Sequence, residues 1–211
     1  MKGRFIAFEG GEGAGKSTQV RLLADVLRTR GVEVDVTREP GGTPGAEAIR
    51  SLLLDPPGKG WGAKAEALLF AAARADHVAE RIRPAIAAGT WVICDRFVDS
   101  SRAYQGGAGG LGDEAITALH AFGSDNLRPD LTILLEADED KVSRRLAERD
   151  GEASDAIGGR GPEYHREVAA SFRRLAEADP EVFAIIDGNG DPNEVHSRVL
   201  KAIASLIPES T

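Results

Sequence analysis

Residues 10–18 read Gly-Gly-Glu-Gly-Ala-Gly-Lys-Ser-Thr, directly after the apolar run Phe5-Ile6-Ala7-Phe8 and at the mouth of a helix-like stretch, Lys16–Arg30. Four glycines in nine positions make a backbone that can curl where a Cβ would clash. The pattern Gly10-(x)4-Gly15-Lys16-Ser17 is that of a phosphate-binding loop, which requires a strand before it and a helix after it. Consecutive N–H groups would surround phosphate oxygens, and the helix behind them would add its positive N-terminal end. Lys16 is expected to reach the β and γ phosphates, and the Ser17 hydroxyl to ligate Mg²⁺. The whole loop, Gly10, Gly11, Glu12, Gly13, Ala14, Gly15, Lys16, Ser17 and Thr18, is therefore expected to hold a nucleoside triphosphate.

The rest of the chain continues the strand–loop–helix rhythm. Short β-like runs lie at Phe5–Phe8, Val32–Thr37, Trp91–Cys94, Leu131–Leu135 and Val182–Ile186. Helix-like stretches separate them at Lys16–Arg30, Ala46–Leu54, Ala65–Ala88, Asp113–Phe122, Asp138–Arg149, Glu163–Ala178 and Asn193–Leu206. Parallel strands need such long crossovers, so the alternation predicts an α/β fold with helices on both faces of a parallel sheet. At 211 residues, with no internal repeat and no linker, one domain spanning residues 1–211 is expected. Two glycine-rich segments, Gly106–Gly112 and Gly151–Gly161, read as mobile loops.

A formal charge of −8 argues against a general nucleic-acid binder, so a phosphate-bearing ligand must be met by local cations. No apolar run reaches the length of a membrane span, and the basic start precedes too few apolar residues for a signal peptide. Cys94 is the single cysteine, which excludes an internal disulfide or a cysteine metal cluster. A cytoplasmic protein is expected.

A phosphate loop alone fits kinases, GTPases and motor-type ATPases equally. The Asn-Lys-x-Asp segment by which a guanine-reading switch protein is usually known is missing after the late strands. The third strand instead runs into Asp95-Arg96-Phe97, at the edge where ligands bind in open α/β sheets. Asp95 is a candidate to hold Mg²⁺ through water, and Arg96 to clamp a phosphate; a structural ion pair is the alternative.

The chain resembles the thymidylate kinases of bacteria. The segments that carry the resemblance are Phe5 to Thr18, Thr37-Arg38-Glu39-Pro40-Gly41-Gly42-Thr43, Leu69-Phe70-Ala71-Ala72-Ala73-Arg74, and Asp95 to Gly106 with its Tyr104-Gln105 pair. The resemblance implies a single-domain P-loop kinase fold, a five-stranded parallel sheet flanked by helices with a lid at about residues 150–161, and a homodimer. It implies transfer of the ATP γ-phosphoryl group to dTMP with Mg²⁺. Phe70 would stack on thymine and Arg74 would donate to its O4; four apart on a helix, the two share a face. Tyr104 would sit where a 2′-hydroxyl would otherwise lie. Ser100, Ser101 and Gln105 are candidate polar contacts to base or sugar. Arg50 and Arg96 would clamp the dTMP phosphate, with Arg38 helping or bracing its loop. Glu12 would reach the sugar hydroxyl or a clamping arginine. Glu9 is a candidate for the Mg²⁺ water shell, or a strand-end carboxylate paired with a neighbouring base.

A closing loop bearing arginine supplies charge and excludes water during phosphoryl transfer. Thymidylate kinases commonly place an arginine after the lid aspartate, but here Ala156 follows Asp155, so Arg160 and Arg149 are the lid candidates. Asp187 and Asn189 are expected to form a turn and helix cap near adenine rather than to act chemically, and no histidine to be catalytic. The acceptor phosphate is already an oxyanion, so no strong base is needed. Two rivals stand beside this reading: a related nucleotide kinase differing at Phe70, Arg74 and Tyr104, and a nucleotide-timed switch protein without a second nucleotide site.

Overall fold

The computed structural model describes residues 2–138 and 158–207. At its centre the run Phe5–Glu9 forms β1, every residue of it buried. A strand buried on both faces must be apolar throughout, and this one is until its last residue. β1 pairs in parallel with Trp91–Asp95 (β3) on one side and Leu131–Glu136 (β4) on the other. Val34–Arg38 (β2) and Phe183–Asp187 (β5) complete the sheet at its edges, giving the order β2-β3-β1-β4-β5. The expected α/β fold with five parallel strands is present.

Side chains alternate across the sheet and feed three apolar clusters, two of which take the apolar residues of β1. Ile6, Phe8, Ile93, Trp91 and Ile133 pack with Leu23 and Leu27 of α1 (Lys16–Thr29) and with Val195 and Val199 of α8 (Pro192–Ala202). Phe5, Ala7, Val92 and Cys94 face the other way, onto Val78, Ile82, Phe97 and Val98. This is the two-residue period of a strand with both faces covered. Each large apolar side chain so buried stabilises the fold by roughly 1.5–3 kcal/mol.

Local sequence sets several helix starts. Thr43 accepts a hydrogen bond from the Ala46 N–H and Pro44 follows, opening α2 (Pro44–Leu54). Asp191 and Glu194 form a reciprocal capping box at the start of α8. The remaining helices among the described residues are α3 (Ala63–His77), α4 (Arg83–Ala87), α5 (Val98–Ser101), α6 (Asp113–Ser124) and α7 (Pro162–Ala178).

Two elements differ from the sequence expectation. The helix expected over Ala65–Ala88 is α3 and α4 joined by a π-helical turn, Val78–Ile82. Pro84, in the first turn of α4, has no N–H to give the turn behind it, and the widened turn lies just ahead of it. The segment expected to be a loop from Gly106 is helical as far as Ala108: α5 runs into a π-helical segment, Arg102–Ala108. Gly107 serves close packing there. A Cβ on it would lie 2.1 Å from Ser171 Oγ of α7. The expected helix over Asp138–Arg149 and the lid up to residue 157 lie outside the described residues. Among the described residues no helix is long and apolar enough to cross a membrane.

Every strand ends in a charged residue: Glu9, Arg38, Asp95, Glu136 and Asp187. Because all strands are parallel, these charges gather at one edge, where an open α/β sheet binds its ligand. The packing of Gly107 is directly testable. Gly107→Ala should destabilise the protein by about 1–3 kcal/mol through overpacking against α7. Urea denaturation measures it, and an unchanged midpoint would mean that α7 yields freely.

Candidate active site

The loop after β1 passes beneath the end of β4. Gly10 has φ +131°, and a Cβ there would meet the Leu135 carbonyl at 2.4 Å, so glycine is required on both counts. Gly15 precedes α1 with no side-chain cap, leaving the N–H groups of the first helical turn to the loop's concave side. Lys16 folds back over the loop, its Nζ donating to the carbonyls of Gly10 (3.1 Å) and Gly11 (2.7 Å). Burial, and then the neighbouring Arg96, pull its pKa down from 10.5 to about 8. Ser17 Oγ donates to Asp95 Oδ2 at 2.6 Å, bringing together the two groups expected to hold a metal.

Pairing of β1 with β3 places Asp95 opposite Phe8, and the Arg96 N–H donates to the Phe8 carbonyl. Arg96 adopts φ +70°, a left-handed conformation that costs a non-glycine residue of order 1 kcal/mol or more. That backbone turn directs its guanidinium to the loop. Nη1 donates to Gly10 O and Ser100 Oγ, each at 3.1 Å, and Nη2 to Tyr104 Oη at 3.3 Å. Burial works against the Arg96 charge, yet Tyr104, Asp95, Glu9 and Glu12 together outweigh it and raise its pKa.

Glu9, expected at the metal's water shell, is fully buried under the start of α5. Its Oε1 accepts from the N–H groups of Phe97 (2.8 Å) and Ser100 (3.0 Å), and its Oε2 from Ser100 Oγ (2.6 Å). It caps that helix and holds Ser100, which in turn accepts from Arg96. Burial, and then Asp99, raise its pKa from 4.5 to about 7.

Beside the loop opens a cleft of about 540 Å³. It is lined by Lys16, Ser17, Asp95 and Arg96 together with Phe70, Arg74, Ser101, Tyr104 and Gln105, and Arg96 and Tyr104 meet within it. Arg74 is held tightly: Nε donates to Glu39 Oε2 at 2.7 Å, and Nη2 to Ser101 Oγ at 2.9 Å and the Phe97 carbonyl at 3.3 Å. Glu39 Oε1 also meets His77 Nδ1 at 3.0 Å, and His77 Nε2 meets Thr37 Oγ1 at 2.7 Å. Cutting a buried pair of this kind typically costs 3–5 kcal/mol, so Arg74 has little freedom. Arg50 donates to the Pro40 carbonyl at 2.8 Å, and Arg38 lies 3.0 Å from the Glu47 carboxylate; both border the cleft.

A second cavity of about 750 Å³ shares Glu12 and Tyr104 with the first and is bordered by Gly10, Gly11 and Arg160. Arg160 pairs with Glu66 of α3, donates to Tyr164 Oη at 2.5 Å, and lies over that ring. Gln105 Nε2 donates to the other Glu66 oxygen at 2.9 Å. Asp187 accepts from the Asn189 N–H in a turn, as expected, while the helix cap belongs to Asp191. Arg149 lies outside the described residues.

The model of the thymidylate kinase family matches residues 8–199. A thymidylate kinase of Rhizorhabdus wittichii is 57% identical over 208 residues, covering 99% of this chain and all of its own. One from Rhodopseudomonas palustris is 50% identical over 205 residues, covering 96% of this chain and 89% of its own. The crystal structure of the Ehrlichia chaffeensis thymidylate kinase superposes with a TM-score of 0.79 at 33% identity, covering 97% of this chain and 99% of that one. The chain belongs to the thymidylate kinase family. The stretch matched by the family model contains every residue of the cleft described above.

Glu39, His77, Glu66 and Tyr164 were not anticipated as parts of a thymidylate kinase site. Glu66 carries a faint signal: it precedes Phe70 by four residues and so shares its helical face. Glu39 lies within the Arg38–Thr43 segment, but its partners are 35 and 38 residues away.

The raised Glu9 pKa has a signed consequence. Between pH about 4.5 and about 7 the folded protein keeps a proton that the unfolded chain releases, so the stability contributed here falls as pH rises through that window. Glu9→Gln retains a carbonyl for the α5 N–H groups and removes the titration. The variant should gain on the parent by up to about 3 kcal/mol between pH 5 and 7.5. Denaturant titrations at several pH values measure the gap, and a constant gap would contradict the burial cost.

Proposed function

We propose that this protein transfers the γ-phosphoryl group of ATP to the 5′-phosphate of dTMP, giving dTDP and ADP. The observation that carries this reading is one cleft with two sets of residues in its lining: the lysine, serine and arginine of a phosphate loop and its neighbour, and an aromatic ring with a fixed arginine. A switch protein needs only the first set. A kinase needs both, within reach of each other.

The cleft suggests how the acceptor is gripped. Phe70 offers a flat apolar face to the base, and Arg74 offers the guanidinium edge that Glu39 and Ser101 do not occupy, a donor suited to an exocyclic carbonyl. Tyr104 is buried, its hydroxyl held by Arg96, and would stand where a ribose 2′-hydroxyl would otherwise lie. Arg50 and Arg96, with Arg38 at the rim, would take the phosphate.

An oxygen of the dTMP phosphate then attacks the γ-phosphorus, and the bond to the β–γ bridging oxygen breaks with ADP leaving. No proton has to be removed first. Lys16 and Arg96 would stabilise the charge on the transferring group, and alignment supplies much of the remaining acceleration. Arg160, beside the loop, would add to that stabilisation once it leaves Glu66, and Glu12 would hold the sugar hydroxyl or an arginine. The Ser17 hydroxyl and Asp95 carboxylate suit Mg²⁺, a hard cation that takes one or two protein oxygens alongside phosphates. Bound there, Mg²⁺ would neutralise phosphate charge.

We further place the enzyme in the cytoplasm as a homodimer. Phe122 of α6 and Leu68 of α3 are 92% and 56% exposed on neighbouring helices, a surface suited to a second copy.

The test is ADP release with ATP and Mg²⁺, comparing dTMP, dUMP, the ribose form of TMP, dCMP, AMP and GMP with no acceptor. Turnover should depend on dTMP and weaken with dUMP and the ribose form; acceptor-independent hydrolysis would overturn the reading. Lys16→Ala should lower kcat by about 100-fold or more with the fold intact by circular dichroism. Arg74→Ala should raise the KM for dTMP far more than that for ATP, and equal effects on both would remove Arg74 from the acceptor site.

A further inference from the structure

Gln105 borders the acceptor cleft among Phe70, Arg74, Ser101 and Tyr104, and is 3% exposed. A primary amide presents a carbonyl on one side and an NH₂ group on the other, and a half-turn about its terminal torsion exchanges them. Left free, such a side chain reads a base ambiguously. It can accept from an N3–H and donate to a carbonyl, as uracil-type bases require, or donate to a bare N3 and accept from an amino group, as cytosine requires.

The structure removes that freedom from behind. Gln105 Nε2 donates to Glu66 Oε1 at 2.9 Å, and the other Glu66 oxygen is ion-paired with Arg160. A carboxylate held in this way only accepts, so the amide must turn its nitrogen toward it. Glu66 is itself 7% exposed, where an unmatched oxygen pair would be costly. Among the described residues, Gln105 Oε1 accepts no hydrogen bond, which leaves it to the cleft together with the second N–H. Arg74, a donor throughout, stands in the same cleft.

We infer that Glu66 is a specificity-determining positioning residue: by fixing the orientation of the Gln105 amide, it makes the cleft accept a pyrimidine with a protonated N3 and reject one with an unprotonated N3 beside an amino group. Glu66 does not line the cleft, and Arg160 acts here as its counter-ion. This inference rests on the reading of the cleft as the pyrimidine site.

The experiment compares kcat/KM for dTMP and dCMP in the full-length protein and four variants. Glu66→Gln lets the amide turn either way, because its own amide can donate or accept. Its dTMP-to-dCMP ratio should fall roughly tenfold or more, with kcat/KM for dCMP rising. Glu66→Met keeps the volume without the acceptor and should shift the ratio in the same direction, which keeps the test decisive should one variant fold poorly. Glu66→Asp keeps an acceptor-only group and should shift the ratio less. A purely structural role for Glu66 would lower both substrates together and leave the ratio unchanged, and that result overturns the inference. Gln105→Ala separates the two levels. If it raises the KM for dTMP while the Glu66 variants leave the ratio alone, the orientation argument alone fails. If it leaves the KM for dTMP unchanged, the reading of the cleft fails and takes the inference with it.

Discussion

Lys16, at the start of α1, and Arg96, just past the end of β3, both donate to the carbonyl oxygen of Gly10, and that shared acceptor ties the site to the sheet. The oxygen is available because Gly10 turns with a φ that a side chain would resist, under a β4 carbonyl that a Cβ would strike. Arg96 arrives there because β3 lies beside β1 in the register that puts Asp95 opposite Phe8. A slip of one residue would send Arg96 to the other face and separate Asp95 from Ser17. The two cations repel each other, which contributes to the lowered pKa of Lys16. The site is therefore held together by carbonyls and carboxylates from neighbouring elements, against the mutual repulsion of its own positive charges.

Three carboxylates hold the polar groups of the cleft in place. Glu9 holds the start of α5 and Ser100, Glu39 holds Arg74, and Glu66 holds Gln105. In each case an acidic group withdrawn from solvent fixes a polar group that borders the cleft. This reconciles a net charge of −8 with a site for highly charged anions. The negative groups nearest the substrates are largely spent on orienting the groups that meet them, while the arginines and the lysine face the cleft.

Much of the architecture was legible in the sequence because it rests on local pattern. Apart from β2, each strand is a short, mostly apolar run closed by a charged residue, and the phosphate loop announces its own strand and helix. Phe70 and Arg74 could be placed together from their spacing alone. The π-helical turns at Val78–Ile82 and Arg102–Ala108 were not legible, since a single widened turn leaves no periodicity to read. Gly107 looked like a sign of flexibility because a glycine chosen for close approach and one chosen for freedom are the same letter. The chain Arg74–Glu39–His77–Thr37 was hidden for a different reason. Its members come from β2, the loop after it and α3, and only the tertiary fold makes them neighbours.

The left-handed backbone of Arg96 places function and stability in opposition at one residue. Glycine would occupy that conformation without strain, yet it would remove the cation that joins the phosphate loop to Tyr104 and Ser100. A duplicate of this chain freed from its chemical task would relax by losing the arginine, since the backbone gains by the exchange. Arginine persists at such an angle only while something outside the fold selects for it. Among descendants of this chain, the residue at position 96 would therefore report whether a copy still works or has become a mere scaffold.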